Sequence, residues 1–151
     1  MVSNISRINE HFSVSPQLDA ADIEAAAAAG YKTILNLRPD GEKPGYISGA
    51  EAARIAAEHG LDYRHIPVLV KGAMPDITPQ LLTSFAKALD ETPGPALAYC
   101  GTGRRAALIW ALGAAESTTA DEIISQCAAA GHDLSAIRPI LEQRAGSGSP
   151  D

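Results

Sequence analysis

The sequence predicts an α/β domain of three layers, α/β/α, around a central, mostly parallel sheet of four or five strands. Three observations predict it. Short β-branched and apolar runs alternate with helical stretches along the chain, the pattern that parallel strands joined by crossover helices require. Ser48-Gly49-Ala50-Glu51 and Thr119-Ala120-Asp121-Glu122 both have capping-box spacing, so helices start just after them. The apolar run 96–99 ends in Cys100 and a glycine-punctuated loop, and open α/β sheets build their sites at the carboxyl ends of strands.

Taken in order, residues 5–15 read as an opening strand centred on 12–14 and broken by Pro16. Asp19 caps a helix over 20–29, and Gly30 ends it. Residues 32–37 are a β-branched and apolar strand. Arg38-Pro39-Asp40-Gly41-Glu42 then forms a loop at its C-terminal end, placed on the sheet edge that carries Cys100. Pro-Asp-Gly favours a turn, which alone accounts for Arg38 and Asp40. Ser48 opens a helix to His59, closed by Gly60, and residues 61–68 give a third strand with Pro67 late in it. His65 on that strand reads as structural, with a general base as the alternative. Residues 70–77 are a loop. Thr78 caps the next helix with Pro79 at its first position, and Leu81, Leu82, Phe85, Ala86 and Leu89 make its buried face. Pro93-Gly94-Pro95 turns into the strand 96–99. The helix 106–115 seats the cysteine loop through Leu108, Ile109 and Leu112, with Trp110 partly buried. Thr119 starts a helix that runs to residue 130, where Gly131 follows. Cys127 within it reads as a small buried hydrophobe rather than a resolving thiol. The last helix, 134–144, contains Pro139 and so kinks or starts late. Residues 1–145 form one domain, and 146–151 are a flexible polar tail.

Composition narrows the function classes. The chain of 151 residues is one domain by size, and 46% apolar residues suffice for a core. A net charge of −6 and a pI near 5.1 argue against nucleic-acid binding. There is no twenty-residue apolar span and no basic-then-apolar leader, so neither a membrane segment nor a signal peptide is expected. Two cysteines make no disulfide framework, and a reduced, cytoplasmic protein is the simplest reading. His11, His59, His65 and His132 show no paired ligand spacing, so no metal or other cofactor is expected.

The chemistry concentrates at Cys100-Gly101-Thr102-Gly103-Arg104-Arg105-Ala106. Gly101 and Gly103 let the loop curl with its N–H groups inward. The helix that follows adds free N–H donors and the positive end of its dipole. These stabilise a Cys100 thiolate, and Arg105 offers a bidentate fork to a bound oxyanion. The competing reading is a buried thiol that merely closes a strand. The nucleophile reading requires a thiol open to solvent and loop amides that face it.

Cys100-x-x-Gly103-x-Arg105 resembles the Cys-x4-Arg signature of the phosphatase-like domain of beta-lactamase-hydrolase-like proteins. So do Ile8-Asn9-Glu10-His11-Phe12-Ser13-Val14-Ser15, Ala29-Gly30-Tyr31-Lys32-Thr33-Ile34-Leu35-Asn36-Leu37-Arg38-Pro39-Asp40-Gly41-Glu42 and Tyr63-Arg64-His65-Ile66-Pro67-Val68. The likeness covers about residues 5–115. It implies a fold like that of dual-specificity phosphatases with a loop of rhodanese length. It also implies a substrate site built from Gly101, Thr102, Gly103, Arg104 and Ala106, with Arg38 and Asp40 shaping the rim. Asp76 is the best-placed counterpart of the aspartic acid that dual-specificity phosphatases bring in to protonate the leaving group, although a turn role explains it equally well. Members often have Arg-Ser after the cysteine and Ser after the arginine. This chain has Gly101-Thr102 and Ala106 instead.

Two enzymatic readings share the site. In sulfur transfer, Cys100 takes the outer sulfur of thiosulfate or a persulfide and passes it on. In phosphate-ester hydrolysis, it forms a phosphocysteine. Phosphatases of this kind have five residues between cysteine and arginine, one more than here, and Ala106 lacks the hydroxyl that assists the leaving cysteine. The sequence therefore favours a sulfurtransferase, with the phosphatase as the alternative and a non-catalytic anion-binding module as a third reading. The substrate is a small anion in each case. A separate persulfide dioxygenase partner is implied by the resemblance alone, since the chain is too short to carry one.

Overall fold

Two strands open the chain where one was expected. β1 (Ser6–Asn9) and β2 (Phe12–Ser15) pair antiparallel. The turn between them is held by the Asn9 carboxamide oxygen, which accepts the His11 N–H at 2.8 Å. The computed structural model describes residues 5–41, 45–71 and 74–147. Glu42, Gly72 and the final four residues of the expected tail therefore lie outside the described residues.

α1 (Ala20–Ala28) starts at Asp19, whose carboxylate accepts the Asp22 N–H while Asp22 returns the bond to the Asp19 N–H. β3 (Thr33–Asn36) is fully buried. α2 (Gly49–Glu58) begins at Ser48, whose hydroxyl accepts the Glu51 N–H. β4 (Asp62–His65) follows. The expected loop over 70–77 instead holds a two-stranded ribbon, β5 (Val70–Lys71) against β6 (Met74–Pro75). α3 (Pro79–Glu91) is capped by Thr78 with Pro79 in its first turn. β7 (Ala96–Tyr99) leads through the cysteine loop into α4 (Arg104–Ala114). α5 (Ala120–Ala129) is capped by Thr119. A 3₁₀ turn (Ser135–Ile137) precedes α6 (Arg138–Ser147), so Pro139 sits in the first turn, where its missing N–H breaks no helical bond. Gly146 and Ser147 belong to α6, not to a tail.

The strand order is β1-β2-β7-β3-β4, with β2, β7, β3 and β4 mutually parallel and β1 antiparallel at one edge. This is the five-stranded, mostly parallel sheet expected. Alternate residues feed two cores. Phe12, Val14, Leu35, Ala96, Ala98 and Cys100 face α3 to α6. Ile34, Leu97 and Tyr99 face α1 and α2 with Leu18, Ile23 and Ile55. Ala98 of β7 shares the first of these cores with Ala106 and Ala111 of α4, all fully buried. With little side-chain bulk between them, the helix that carries the loop can seat close to the sheet. One face assignment is corrected. Ala86 is exposed and Ala88 is buried, because the stripe of α3 runs from Phe85 by a three-residue step. Trp110 stacks on Phe12 with ring centroids 6.0 Å apart.

Candidate active site

The site begins with strand register. β7 lies between β2 and β3, with Tyr99 opposite Ser15 on one side and Asn36 on the other. Pairing continues one residue further: the Cys100 N–H donates to the Ser15 carbonyl at 3.2 Å and the Leu37 N–H to the Tyr99 carbonyl at 2.9 Å. The chain segments leaving β3 and β7 therefore emerge side by side, and this brings Arg38 to the cysteine loop.

Gly103 has φ +90° and is the residue on which α4 starts. In that left-handed conformation its N–H donates to the Cys100 sulfur at 3.0 Å. The next amide, on Arg104, donates to the Thr102 hydroxyl at 3.3 Å. Thr102 and Arg104 are exposed, whereas Arg105 and Ala106 are buried. The Arg105 guanidinium donates through Nη1 to the Val68 carbonyl at 2.8 Å. An ideal Cβ on Gly101 would stand 3.3 Å from Arg105 Nη2 and 3.7 Å from Cζ and Nη2 of Arg38. Two guanidinium groups thus converge on the bare backbone of Gly101.

One expectation fails here. Cys100 is 0% exposed, so its thiol is not open to solvent. The loop lies closed over it, with the Gly103 amide already on the sulfur. A substrate can reach the sulfur only if the side chains and backbone covering it move.

Arg38 is anchored at several points. Its N–H donates to the Asn36 carboxamide oxygen at 2.9 Å, and its carbonyl lies 2.8 Å from His65 Nε2. Nη1 donates to the Gln17 side-chain oxygen at 2.9 Å, and the Tyr46 ring covers the guanidinium with its centroid 4.6 Å from Cζ. His65 is thus a prop for the Arg38 backbone. The Asp40 carboxylate accepts the Gly49 N–H in the first turn of α2, which ties the loop to that helix. Asp76 is half-buried beside β6, and its N–H donates to the Leu69 carbonyl at 2.7 Å. Neighbouring carbonyls, of Val68 and Leu69 in the connection between β4 and β5, therefore hold Arg105 and Asp76.

Sequence reasoning missed Tyr99. Its hydroxyl is buried without a hydrogen-bond partner among the described residues, and burial above all raises its pKa. It lines a cavity of about 20 Å³ with Gln17, Asn36, Arg38, Asp40 and Tyr46. Its place directly before the cysteine was the available signal. His132 was missed as well; its ring packs 3.4 Å from where a Gly103 Cβ would stand. Burial, and secondarily Arg104, hold its pKa below the ordinary value. Cys127 is fully buried in α5. Larger grooves of about 690 and 570 Å³ run between α3, α4 and α6, and neither is lined by Cys100, Arg105 or Arg38. Among the described residues no cluster of three or more His, Cys, Asp or Glu could hold a metal, and no helix is long and apolar enough to cross a membrane.

A cysteine at the end of a central parallel strand, with an arginine in the first turn of the next helix, fits a phosphatase-like α/β domain. The chain belongs to the family of phosphatase-like domains of beta-lactamase hydrolase-like proteins, whose model matches residues 4–117. A beta-lactamase hydrolase-like protein of Agrobacterium fabrum is 38% identical over 109 residues, 72% of this chain. The match takes in 24% of that relative, so the chain spans about a quarter of its length. A crystal structure of a candidate phosphatase from Neisseria meningitidis is 35% identical with a TM-score of 0.79, covering 93% of this chain and 97% of that one. A kinase-associated phosphatase, solved with its catalytic-site cysteine replaced by serine, shares the fold at 16% identity and a TM-score of 0.66. That likeness covers 98% of this chain and 97% of the other. These likenesses favour the phosphatase alternative over the sulfurtransferase reading, and none of them supports a persulfide dioxygenase partner.

Proposed function

We propose that this domain hydrolyses phosphate esters of small anionic substrates through a phosphocysteine on Cys100. The observation that carries the reading is the Gly103 N–H aimed at the Cys100 sulfur at the start of α4. That amide sits at the start of α4, where backbone N–H groups are left free to meet an anion. Family membership supports the same chemistry.

In this reading the loop first moves off Cys100, which is 0% exposed at rest, and the thiolate then attacks phosphorus. The S–P bond forms as the bond to the leaving oxygen breaks, and Asp76 supplies the proton that oxygen needs. Arg105 turns its fork from the Val68 carbonyl to the equatorial oxygens, joined by the amides of Gly101, Thr102, Gly103 and Arg104. Water then attacks phosphorus, giving a proton to Asp76, and the S–P bond breaks to release phosphate and restore the Cys100 thiolate. Ala106 provides no hydroxyl to assist the departing sulfur, so this second step is the slower one. Residues 1–145 act as one unit. Asp40 acts by holding the rim loop to α2.

The test uses an aryl phosphate, with thiosulfate plus cyanide assayed alongside. Wild type is expected to turn over the aryl phosphate, and Cys100→Ser to lose at least about 10³-fold, the scale of removing a nucleophile. Turnover of thiosulfate alone, with one added sulfur on Cys100 by mass spectrometry, would overturn the proposal in favour of sulfur transfer.

A further inference from the structure

We infer that His132 is a positioning residue for the loop that covers Cys100: its neutral imidazole holds Gly103 in place, and protonating it lets the loop lift off the sulfur. The inference goes beyond the phosphatase reading above and holds for any chemistry at this thiol.

Cys100 is 0% exposed, and the Gly103 N–H on its sulfur is part of the cover. Gly103 keeps its φ of +90° in a corner between two groups. The point where its Cβ would stand lies 3.4 Å from the Ser15 carbonyl carbon, and 3.4 and 3.5 Å from Cε1 and Nε2 of His132. Ser15 is fixed in β2 by its pairing with Tyr99, so the imidazole is the wall that can move.

His132 stands on a rigid mount. The Gly131 N–H donates to the Ala128 carbonyl at 3.0 Å and the His132 N–H to the Cys127 carbonyl at 2.8 Å. These are the paired bonds that close a helix on a left-handed glycine, here with φ +93°. That closure uses only the backbone of residue 132. The half-buried ring makes no hydrogen bond or ion pair among the described residues, so neither the cap nor a polar partner calls for a histidine.

The surroundings penalise a positive charge on the ring. It sits at the start of α4, the positive end of that helix, and Arg104 adds a like charge. Ile5, Ser6, Val14, Pro16 and Thr102, which line a cavity of about 380 Å³ with it, carry no charge. Asp133 follows in sequence, but its Oδ1 accepts both the N–H and the hydroxyl of Ser135. A protonated ring is therefore better hydrated with the loop open than against Gly103, and the cavity gives it space to swing. Closure weakens as pH falls through the ordinary value of 6.5, because the open state takes up the proton first.

The experiment follows iodoacetamide labelling of Cys100 by mass spectrometry in wild type, His132→Phe and His132→Ala from about pH 8 to about pH 6, with Cys127 as internal control. Phenylalanine keeps a ring against Gly103 without titrating, whereas alanine removes the wall. At about pH 8 the alanine variant is expected to label at least about tenfold faster than wild type, and the phenylalanine variant within about twofold of it. Towards about pH 6 the wild-type rate divided by the phenylalanine rate is expected to rise about threefold or more, the scale of one charge at a helix start. That ratio cancels the thiol's own ionisation. An alanine rate equal to wild type, or a ratio flat with pH, overturns the inference. Cys127 labelling in step with Cys100 also overturns it, since that would mean global unfolding. Thermal melts check folding: if the phenylalanine variant does not fold, His132→Gln takes its place, and if the alanine variant does not, the pH ratio decides. Aryl phosphate turnover, which tests the phosphatase reading, enters none of these outcomes.

Discussion

Replacing Gly103 by alanine perturbs stability and chemistry at one atom. Gly103 has φ +90°, where a Cβ meets the following carbonyl, and for ordinary residues the left-handed region costs about 1–2 kcal/mol. The new Cβ would also stand 3.4 Å from His132 Cε1 and 3.4 Å from the Ser15 carbonyl carbon. The imidazole can shift by a few tenths of an ångström, but the Ser15 backbone is fixed in the sheet by its register with β7. A loss of about 2 kcal/mol corresponds to a fall of roughly 4–8 °C in melting temperature for a chain of this size. If the backbone instead relaxes to negative φ, the N–H leaves the sulfur. Losing one hydrogen bond to a charged group, about 1.5–3 kcal/mol, lowers kcat/KM roughly 10- to 150-fold. Thermal melts and aryl phosphate kinetics read the two effects separately. An alanine variant with unchanged melting temperature and unchanged kcat/KM would refute the account of this turn and of the amide's role.

Other residues give independent tests. Tyr99→Phe removes a buried hydroxyl with no partner among the described residues, so stability should stay within about 1 kcal/mol of wild type or rise; a loss above about 2 kcal/mol in urea titration would mean the hydroxyl is hydrogen-bonded. Burial pushes the Cys127 thiol up from 9.0 to about 11. Between those values the unfolded chain loses its proton first, so Cys127 lowers stability as pH rises from about 9 to 11. Cys127→Ala should show a shallower alkaline decline than wild type in denaturant midpoints, and parallel curves would contradict this.

The fold was legible where local signals are strong. Asp19, Ser48, Thr78 and Thr119 each cap the helix that the sequence assigned to them, because a cap needs only side chain and backbone three residues apart. The opening hairpin was legible in principle from Asn9, whose carboxamide makes the turn, but β1 and β2 have four residues each and too little alternation to separate. The β5/β6 ribbon has two residues per strand and no periodicity to read. In the site, Cys100, Gly103 and Arg105 share one local motif and could be read together. The approach of Arg38 to Gly101 depends on β3 lying beside β7 in register, a tertiary fact that no spacing encodes. The preference for sulfur transfer rested on a loop one residue short and on Ala106, whereas whole-domain similarity weighs towards phosphate chemistry.

The full burial of Cys100 makes the resting domain resistant to the reagents that usually betray an activated thiol. Peroxide or iodoacetamide can modify the sulfur only during excursions that uncover it, so the alkylation rate measures how often the gate opens. A sulfur kept shut in this way is spared oxidation while the cover stays in place.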